Sequence, residues 1–393
     1  MHSIRDDIFW TGYIDWDLRN FHGYSTPAGS TYNAYLIIDE KPTLIDTVKH
    51  YGFEEMLARI KEVIDPSKLA YIVSNHTEMD HSGSIEKLLR LCPKAEVICS
   101  PKGHEGLKRH FKEDWRFRVV NTGDTLTIGK RELSFLLTPM VHWPDSMATY
   151  CKGEKILFSN DAFGQHYASD ERFAREVGLD IVLKEAAKYY ANIVLPYGAQ
   201  ALKALEAAKG LSLEMICPSH GLIWKGPKEI ENILALYKKW ASHISEKRVA
   251  IVYDTMWHST EKIAHKLYEL IDREGIVATL LNLKTCDFSD IVTEIMFARV
   301  VLIGSPILNN RMFPSVGGFL TYLKGLKPKN RYGLTFGSYG WAKAGFKELE
   351  DSLKEAGLEL IDQGRYFQYI PDEAELESLK DVVPKIKEAL TKE

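Results

Sequence analysis

The sequence predicts an α/β protein built from two units, and two observations support this fold class. Strand-like apolar runs alternate with amphipathic helical patterns along the chain. In the second half, the strands VAIVY and VVLIG are continuously apolar, as expected for strands buried on both faces of a parallel sheet. The run ALYKKWASHISEKR, residues 235–248, passes from an amphipathic helix into a short polar stretch. We therefore predict domains at residues 1–246 and 247–393.

The first unit is predicted to begin with strands and to continue as an alternation of helices and strands. The predicted strands lie in IFWTGYIDW, TYNAYLIID, PTLIDTV, AEVICS, RFRVVN, ELSFLLTPM, MATYC, KILFSN and EMICPS. The predicted helices lie in FEEMLARIKEVI, GSIEKLLRL and PKGHEGLKRHF, with a last helix from about Lys228. So many strands with helices between them predict sheet layers sandwiched by helices.

The second unit is predicted to be a doubly wound parallel sheet with helices on both faces. The predicted strands lie in RVAIVYDT, VATLLNL, ARVVLIGSP, RYGLTFGSYG and LELIDQGRYFQYIP. The predicted helices lie in TEKIAHKLYELIDREG, residues 314–325, KAGFKELEDSLKEAG and the C-terminal segment.

Composition and charge exclude several classes of protein. Fifty basic and 54 acidic residues give a formal net charge of −4, and no Lys/Arg run marks a phosphate-backbone footprint, so we expect no nucleic-acid partner. The start MHSIRDDIFW lacks a secretory apolar segment, and no apolar run is long enough to span a membrane. We therefore expect a cytoplasmic protein that does not bind a membrane.

The cysteines are odd in number and widely spaced, and they contain no C-x-x-C pair. This pattern argues against a disulfide framework, a zinc ribbon or a rubredoxin-type iron site within the chain. We expect reduced, buried thiols at Cys92, Cys99, Cys151, Cys217 and Cys286.

The loop HTEMDH, residues 76–81, follows the strand-like run LAYIVSN and concentrates histidines and carboxylates in one short segment. In an extended segment His76, Glu78 and Asp80 point to one side, and His81 turns to the other. Such a loop can supply ligands to two metals. The alternative is a polar surface loop, since residues of these types are mostly exposed.

Three further candidate ligands follow predicted strands: His142, Asp161 and His220. Each alone is more often an ordinary polar residue than a ligand. Together with the loop they form a complement for two metals, with one carboxylate free to bridge.

This set resembles the metallo-β-lactamase superfamily, in which an H-x-H-x-D-H loop is followed by a His, an Asp and a final His in that order. Glu78 replaces the middle histidine, and this replacement is typical of the flavodiiron proteins, whose lactamase-like αββα domain holds two irons. A carboxylate oxygen in place of an imidazole favours iron over zinc.

The resemblance implies a role for each ligand. One iron takes His76, Glu78 and His142, the other takes Asp80 and His220, and Asp161 lies between them. His81 matches the last histidine of the loop, and it either coordinates the second iron or supports its ligands.

In the second unit, the strand RVAIVY leads into DTMWHSTEKIA, a hydroxyl-rich turn before a helix. Thr255, Ser259 and Thr260, with the N–H groups at the helix start, predict a phosphate-binding nest. The absence of G-x-G-x-x-G argues against a dinucleotide. On this loop alone, a plain N-cap at Ser259 or Thr260 remains the alternative.

Two more loops, at residues 304–310 and 337–345, follow later strands on the carboxyl edge, where ligands of open α/β sheets bind. The three loops together resemble the FMN site of the flavodoxin fold. The resemblance places Thr255, Met256, Trp257, His258, Ser259 and Thr260 at the phosphate, Pro306, Ile307, Leu308 and Asn309 on one side of the isoalloxazine, and Ser338, Tyr339, Gly340 and Trp341 on the other. Ordinary aromatic packing is the alternative for Tyr339 and Trp341.

By this resemblance, the chain is expected to be an oxidoreductase that reduces O2 to water, NO to N2O, or both, at a non-haem diiron site. The resemblance implies that FMN relays the electrons from an external donor such as rubredoxin. The resemblance also implies a head-to-tail homodimer or a dimer of dimers. His22, Tyr24 and Tyr189 are candidate proton donors near the metals, although ordinary structural roles are the simpler interpretation of each.

Two other functions remain open from the sequence. The first is a two-zinc hydrolase of the metallo-β-lactamase type with an accessory flavodoxin-like domain, against which Glu78 argues. The second is an electron carrier whose first unit is only a docking scaffold. A scaffold has no need of so many potential metal ligands.

Overall fold

The computed structural model describes residues 2–392. The chain forms two compact units. The first contains residues 2–22, 26–190 and 197–241, and the second contains residues 242–392 with the short segments 23–25 and 191–196. This division falls slightly before the predicted boundary after residue 246, which stays a prediction.

The longest strands lie in the second unit, whereas the helices vary in length in both units. In chain order the strands are β1 (His2–Arg5), β2 (Ile8–Trp10), β3 (Tyr13–Asp15), β4 (Asn20–Phe21), β5 (Tyr24–Ser25), β6 (Ser30–Tyr32), β7 (Tyr35–Ile37), β8 (Thr43–Ile45), β9 (Tyr71–Ser74), β10 (Glu96–Cys99), β11 (Phe117–Val119), β12 (Thr125–Thr127), β13 (Glu132–Leu137), β14 (Met147–Cys151), β15 (Ile156–Asn160), β16 (Met215–Pro218), β17 (Trp224–Lys225), β18 (Glu246–Tyr253), β19 (Val277–Asn282), β20 (Ala298–Leu308), β21 (Arg311–Met312), β22 (Arg331–Tyr339), β23 (Leu358–Leu360) and β24 (Arg365–Gln368). The α-helices are α1 (Phe53–Lys61), α2 (Met79–Ser82), α3 (Ile85–Leu91), α4 (Pro101–Phe111), α5 (Ala174–Val177), α6 (Leu179–Tyr189), α7 (Gly198–Ala207), α8 (Pro227–Ala241), α9 (Ser259–Asp272), α10 (Phe288–Phe297), α11 (Pro314–Leu326), α12 (Gly345–Glu355), α13 (Glu373–Glu377) and α14 (Val383–Thr391).

In the first unit two sheets pack face to face. One has the order β1-β2-β7-β8-β9-β10-β11, and the other has the order β12-β13-β14-β15-β16-β17. Alternate residues of the central strands enter different cores, because successive side chains of a strand point to opposite faces. Leu44 and Ile72 pack in a core with α1 and α3, whereas Ile45 and Val73 pack against the second sheet.

The far face of the second sheet carries Ala148, Tyr150 and Leu157. It borders α7 and α8 around an apolar groove of about 580 Å³. Helices therefore lie outside both sheets, and the predicted layered sandwich is confirmed. Four of its α-helices, the single turns α2 and α5 and the longer α6 and α7, were not predicted.

The second unit is an open parallel sheet in the order β19-β18-β20-β22, which continues to β23 and β24 beside β22. Its predicted doubly wound fold is confirmed. The structure adds α10, which was not predicted, and divides the predicted last strand into β23 and β24. On one face of the sheet, α9 and α14 bury Ile263, Leu267 and Ile386 against Ile251 and Leu302.

Four of the cysteines are buried free thiols, as predicted, but Cys286 is partly exposed. The prediction of burial was wrong there because Cys286 lies in the turn between β19 and α10 rather than inside a strand. Within residues 2–392, no helix combines the length and apolar character needed to cross a membrane.

Candidate metal centre and cofactor cavity

The seven candidate metal ligands lie just beyond strand ends of the first unit. His76 follows β9, His142 lies in the β13–β14 connection, Asp161 follows β15 and His220 follows β16. The expectation of an extended HTEMDH segment was wrong, because residues 79–82 form the helical turn α2. The turn places Asp80 and His81 on the side of a second ligand cluster, away from His76.

The first cluster gathers around one carboxylate oxygen of Asp161. Its Oδ2 lies 3.6 Å from His76 Nε2 and 3.5 Å from His142 Nε2. Glu78 Oε2 lies 3.3 Å from His76 Nε2 and 3.4 Å from His142 Nε2. The four donor atoms therefore face a common point.

The second cluster gathers around the other oxygen of the same carboxylate. Asp161 Oδ1 lies 3.1 Å from His81 Nε2 and 3.4 Å from His220 Nε2. Asp80 Oδ2 lies 3.2 Å from His220 Nε2 and 3.5 Å from His81 Nε2. His81 thus stands among the donors of this cluster.

These spacings fit metal ions. With metal–ligand bonds of about 2.1 Å, two ligand atoms on one ion lie roughly 3.0 to 3.5 Å apart. Both oxygens of Asp80 and Oδ2 of Asp161 are buried and accept no hydrogen bond from residues 2–392. Buried carboxylate oxygens without hydrogen bonds are costly unless a cation satisfies them. The two clusters therefore form a candidate site for two metals that share Asp161.

The protonation of the cluster favours a cation as well. Burial alone would raise the pKa of Asp161, but His81, His142 and His220 outweigh burial and hold this pKa well below its usual value. Burial lowers the pKa of His220, yet the nearby carboxylates of Asp161 and Asp80 raise that pKa to about 10. The carboxylates are therefore ionised, and metal binding must displace protons from the histidines.

Two contacts orient the ligating histidines. Asp145 Oδ2 lies 3.0 Å from His76 Nδ1, and the Thr31 carbonyl oxygen lies 2.8 Å from His220 Nδ1. Each contact holds the opposite ring nitrogen, Nε2, toward the cluster. The sequence interpretation missed both residues. The only signal for Asp145 was its place three residues after His142.

The candidate proton donors occupy different positions. His22 Nε2 lies 2.8 Å from Glu78 Oε1, and its side chain is 63% exposed. Tyr189 is buried, and its hydroxyl donates to Asp161 Oδ1 at 3.0 Å. Tyr24 is buried in the segment 23–25, which belongs to the second unit.

The second unit contains a cavity of about 560 Å³ at the carboxyl ends of its strands. The cavity brings together most of the predicted cofactor residues. It is lined by Met256, Trp257, Ser259, Pro306, Ile307, Leu308, Asn309, Asn310, Ser338, Tyr339, Gly340, Trp341, Ala342, Tyr369 and Ile370. Tyr369 and Ile370 were not predicted as lining residues, although they follow β24 at the same edge of the sheet.

Three predicted phosphate-loop residues lie outside this lining. Thr260 is fully buried, with its hydroxyl 2.9 Å from that of Ser338. The His258 ring lies against Glu261, with Nδ1 2.6 Å from Oε2. Thr255 is buried, and its hydroxyl has no hydrogen-bond partner among the described residues.

The phosphate end of the cavity suits an anion. The unpartnered Thr255 hydroxyl lies in the turn that leads into α9, and the N–H groups at the start of this long helix favour negative charge. Lys284 places a positive charge beside this turn, where its Nζ donates to the Thr255 carbonyl oxygen at 2.5 Å. The apolar and aromatic lining at the other end suits a flat ring system. The cavity therefore fits FMN.

Comparison with known proteins gives the same two domains. Residues 31–221 match the ODP family beta lactamase model, and residues 251–380 match the flavodoxin model. The nitric oxide reductase of Moorella thermoacetica is 44% identical over 390 residues, which are 98% of this chain and 97% of that protein. The rubredoxin-oxygen oxidoreductase of Megalodesulfovibrio gigas is 42% identical over 392 residues, which are 99% of this chain and 98% of that protein.

A solved structure extends the comparison to three dimensions. The crystal structure of the flavodiiron protein from Giardia intestinalis superimposes with a TM-score of 0.96 at 34% sequence identity, covering 99% of this chain and 97% of that chain. The likeness runs through both domains in the same order, so the predicted family is confirmed. This chain belongs to the flavodiiron proteins.

Proposed function

We propose that this protein reduces O2 to water, NO to N2O, or both, at a diiron centre supplied with electrons through FMN. The observation that carries the proposal is Asp161, whose two carboxylate oxygens face two separate clusters of buried ligands. When bound, two irons and reduced FMN supply the electrons for either reaction. The relatives named for nitric oxide reduction and for oxygen reduction with rubredoxin support both substrates and a rubredoxin-type donor.

The cluster geometry supports one ligand set for each iron. We assign His76, Glu78 and His142 to the first iron, Asp80, His81 and His220 to the second, and Asp161 to both. For His81, the distances of 3.1 Å and 3.5 Å from its Nε2 to two carboxylate oxygens support coordination rather than a purely supporting role.

The side chains around the ligands position the site and supply protons. His22 is exposed to solvent and contacts Glu78, so it can carry a proton from water to the edge of the ligand shell. The Tyr189 hydroxyl holds a proton against Asp161 from the buried side. The indole of Trp143 packs edge-on against the His76 ring, with centroids 4.9 Å apart, and restricts the movement of that ligand.

For the flavin, we propose that its phosphate binds at Thr255, Ser259 and the start of α9. The loops at residues 306–310 and 338–342 then enclose the isoalloxazine. Their apolar side chains exclude water from the ring.

We further propose a head-to-tail homodimer, with a dimer of dimers as the alternative. Trp257 and Trp341 line the cavity yet are 84% and 87% exposed. Large apolar side chains exposed together mark contact surfaces. A second copy that covers them would shield the flavin and place it close to the irons of the opposite chain. The cytoplasmic location stays a prediction.

The competing function is a two-zinc hydrolase with an accessory flavodoxin-like domain. Glu78 in the ligand set and a cavity suited to FMN in the same chain support the redox function instead. Metal and flavin analysis of the purified protein, with O2 and NO consumption measured on the same sample, tests the choice. We expect two irons and one FMN per active chain. Two zincs with hydrolytic turnover and no O2 or NO consumption would establish the hydrolase.

A further inference from the structure

A group of tyrosines around one carboxylate lies beside the second ligand cluster and has no part in the proposed reaction. Tyr51 donates its hydroxyl to Asp15 Oδ2 at 2.5 Å. The Tyr32 hydroxyl lies 3.2 Å from that of Tyr51 and 3.4 Å from Asp15 Oδ2. Tyr13 packs against both rings, with centroids 5.7 Å from Tyr51 and 6.3 Å from Tyr32.

This group connects a proposed iron ligand to the protein surface. The Tyr32 ring is fully buried and meets the His220 ring edge-on, with centroids 5.7 Å apart. Tyr51 lies at the other end and is 46% exposed. The rings of Tyr32 and Tyr51 are 6.3 Å apart, so aromatic contacts lead from His220 to solvent in two steps.

The Tyr32 hydroxyl contacts different residues from those that the Tyr32 ring leads to. Both recorded hydrogen bonds of the Tyr32 hydroxyl lead to Tyr51 and Asp15, and none of them leads to a metal ligand. A proton relay needs continuous hydrogen bonds, whereas electron transfer needs only short distances between rings. The geometry therefore suits electrons that move toward His220 and protons that move toward Asp15.

We infer that Tyr51 is a redox-active residue that donates an electron through Tyr32 to the metal centre when reduced flavin cannot. The inference rests on the proposed function, because O2 at the metal centre is the oxidant. Complete reduction of O2 takes four electrons, and a chain with reduced irons but oxidised FMN is two electrons short. Tyr51 supplies one of these electrons at a time: its O–H bond breaks, the electron reduces the metal centre that O2 has oxidised, and the proton passes to Asp15 Oδ2. The products are a neutral tyrosyl radical and a protonated Asp15.

The surroundings require the electron and proton to leave together. Burial and the bond to Asp15 raise the pKa of Tyr51 well above its usual value, so the residue is a phenol before oxidation. Lys49 Nζ lies 5.3 Å from the Tyr51 ring centroid and disfavours a positive charge there. Asp15 is the acceptor already in contact with the hydroxyl. A small thiolate in solution can then give one electron to the exposed Tyr51 radical, and the proton returns from Asp15, so that both residues regain their starting states. A second cycle supplies the fourth electron, and the two thiyl radicals combine to a disulfide.

The test uses the holoenzyme with reduced irons and oxidised FMN. The protein is mixed with O2 and freeze-quenched, and the samples are examined by electron paramagnetic resonance, with ring-deuterated tyrosine identifying the radical. We expect a tyrosyl signal in the wild type, loss of more than half of it in Tyr51→Phe, and a similar loss in Asp15→Asn. Tyr150→Phe is the matched control, because the Tyr150 hydroxyl donates to the Ser212 carbonyl oxygen and has no carboxylate partner within residues 2–392. Its signal should equal that of the wild type.

A second measurement separates this inference from the proposed function. The full-length chain is oxidised by a ruthenium photo-oxidant, without O2, and the tyrosyl radical is followed by absorbance. Tyr51→Phe should again lose more than half of the radical. The inference is overturned if the wild type consumes O2 without a tyrosyl signal, or if either method gives equal signals in the wild type and Tyr51→Phe. Failure of the wild type to consume O2 or NO would instead contradict the proposed function, and the photo-oxidation result would still decide the role of Tyr51.

Discussion

Removal of the Asp145 carboxylate should weaken iron binding, although Asp145 is not itself a proposed ligand. Asp145 is buried, and its Oδ2 lies 3.0 Å from His76 Nδ1 and 2.7 Å from the Thr77 backbone N–H. The first contact fixes the His76 ring so that Nε2 faces the first cluster. It also increases the basicity of that nitrogen.

The size of the effect follows from the usual cost of removing a residue that orients a metal ligand. Loss of a residue that orients a ligating histidine typically lowers metal affinity about 10- to 100-fold, or about 1.4 to 2.7 kcal/mol. We expect Asp145→Ala near the upper limit, because it removes both the charge and the acceptor. Asp145→Asn should lie near the lower limit, because its amide oxygen can still accept a hydrogen bond.

Competition with a colorimetric ferrous chelator measures the affinity directly. Asp65→Asn is the matched control, since Asp65 also accepts a backbone hydrogen bond, from Ser67, but caps an exposed turn away from the ligand clusters. It should bind iron like the wild type. Wild-type iron affinity in a folded Asp145→Ala protein would refute the orienting role.

Three further predictions concern the second unit. Thr255→Val should weaken FMN binding about 10- to 100-fold in fluorescence titrations of the flavin-free protein, because it removes a hydroxyl at the phosphate end that has no partner among the described residues. Thr293→Val is the control: it loses a hydrogen bond to a carbonyl oxygen and should bind FMN normally. Burial and Arg331 lower the pKa of His243 to about 4 in the folded protein, whereas its pKa in the unfolded chain is about 6.5. As the pH falls below about 6.5, the unfolded chain therefore binds a proton at His243 before the folded protein does, and folding becomes less favourable. Acidification from pH 7 to 4 should therefore cost the wild type about 3 kcal/mol more than His243→Asn in denaturant titrations, and equal losses would contradict this. In the native protein, a thiol reagent should modify Cys286 before the four buried cysteines, and equal rates would contradict their burial.

The ligand clusters show how far the sequence can predict a site. His142, Asp161 and His220 are far apart in the chain, but each follows a strand, and strand ends of a layered sandwich converge. The geometry within the HTEMDH loop was not predictable from alternation alone, because a helical turn replaces the extended segment. Glu78 still indicated the type of metal, since that inference depends on ligand chemistry and not on loop conformation.

The residues that orient the ligands were not predicted for a physical reason. Thr31 acts through its backbone carbonyl, so its side chain carries no signal in the sequence. Asp145 and His76 are 69 positions apart, and only the folded chain brings them into contact.

The missed helix α10 has a local explanation. The helix α10 contains Ile291, Val292 and Ile295, and such residues favour strands over helices. Its clearest signal was the N-cap Asp287, whose side chain accepts a hydrogen bond from the Ser289 backbone N–H.

The central claim is that Asp161 joins two irons in a site that reduces O2 or NO. The most direct test is anaerobic stopped-flow mixing of the reduced, FMN-loaded protein with O2 and with NO, comparing the wild type with Asp161→Ala. We predict rapid reoxidation of the wild type by at least one of the two gases. The variant should keep its FMN spectrum and lose the reaction with that gas. Wild-type rates in a folded, flavin-loaded Asp161→Ala protein would contradict the diiron assignment.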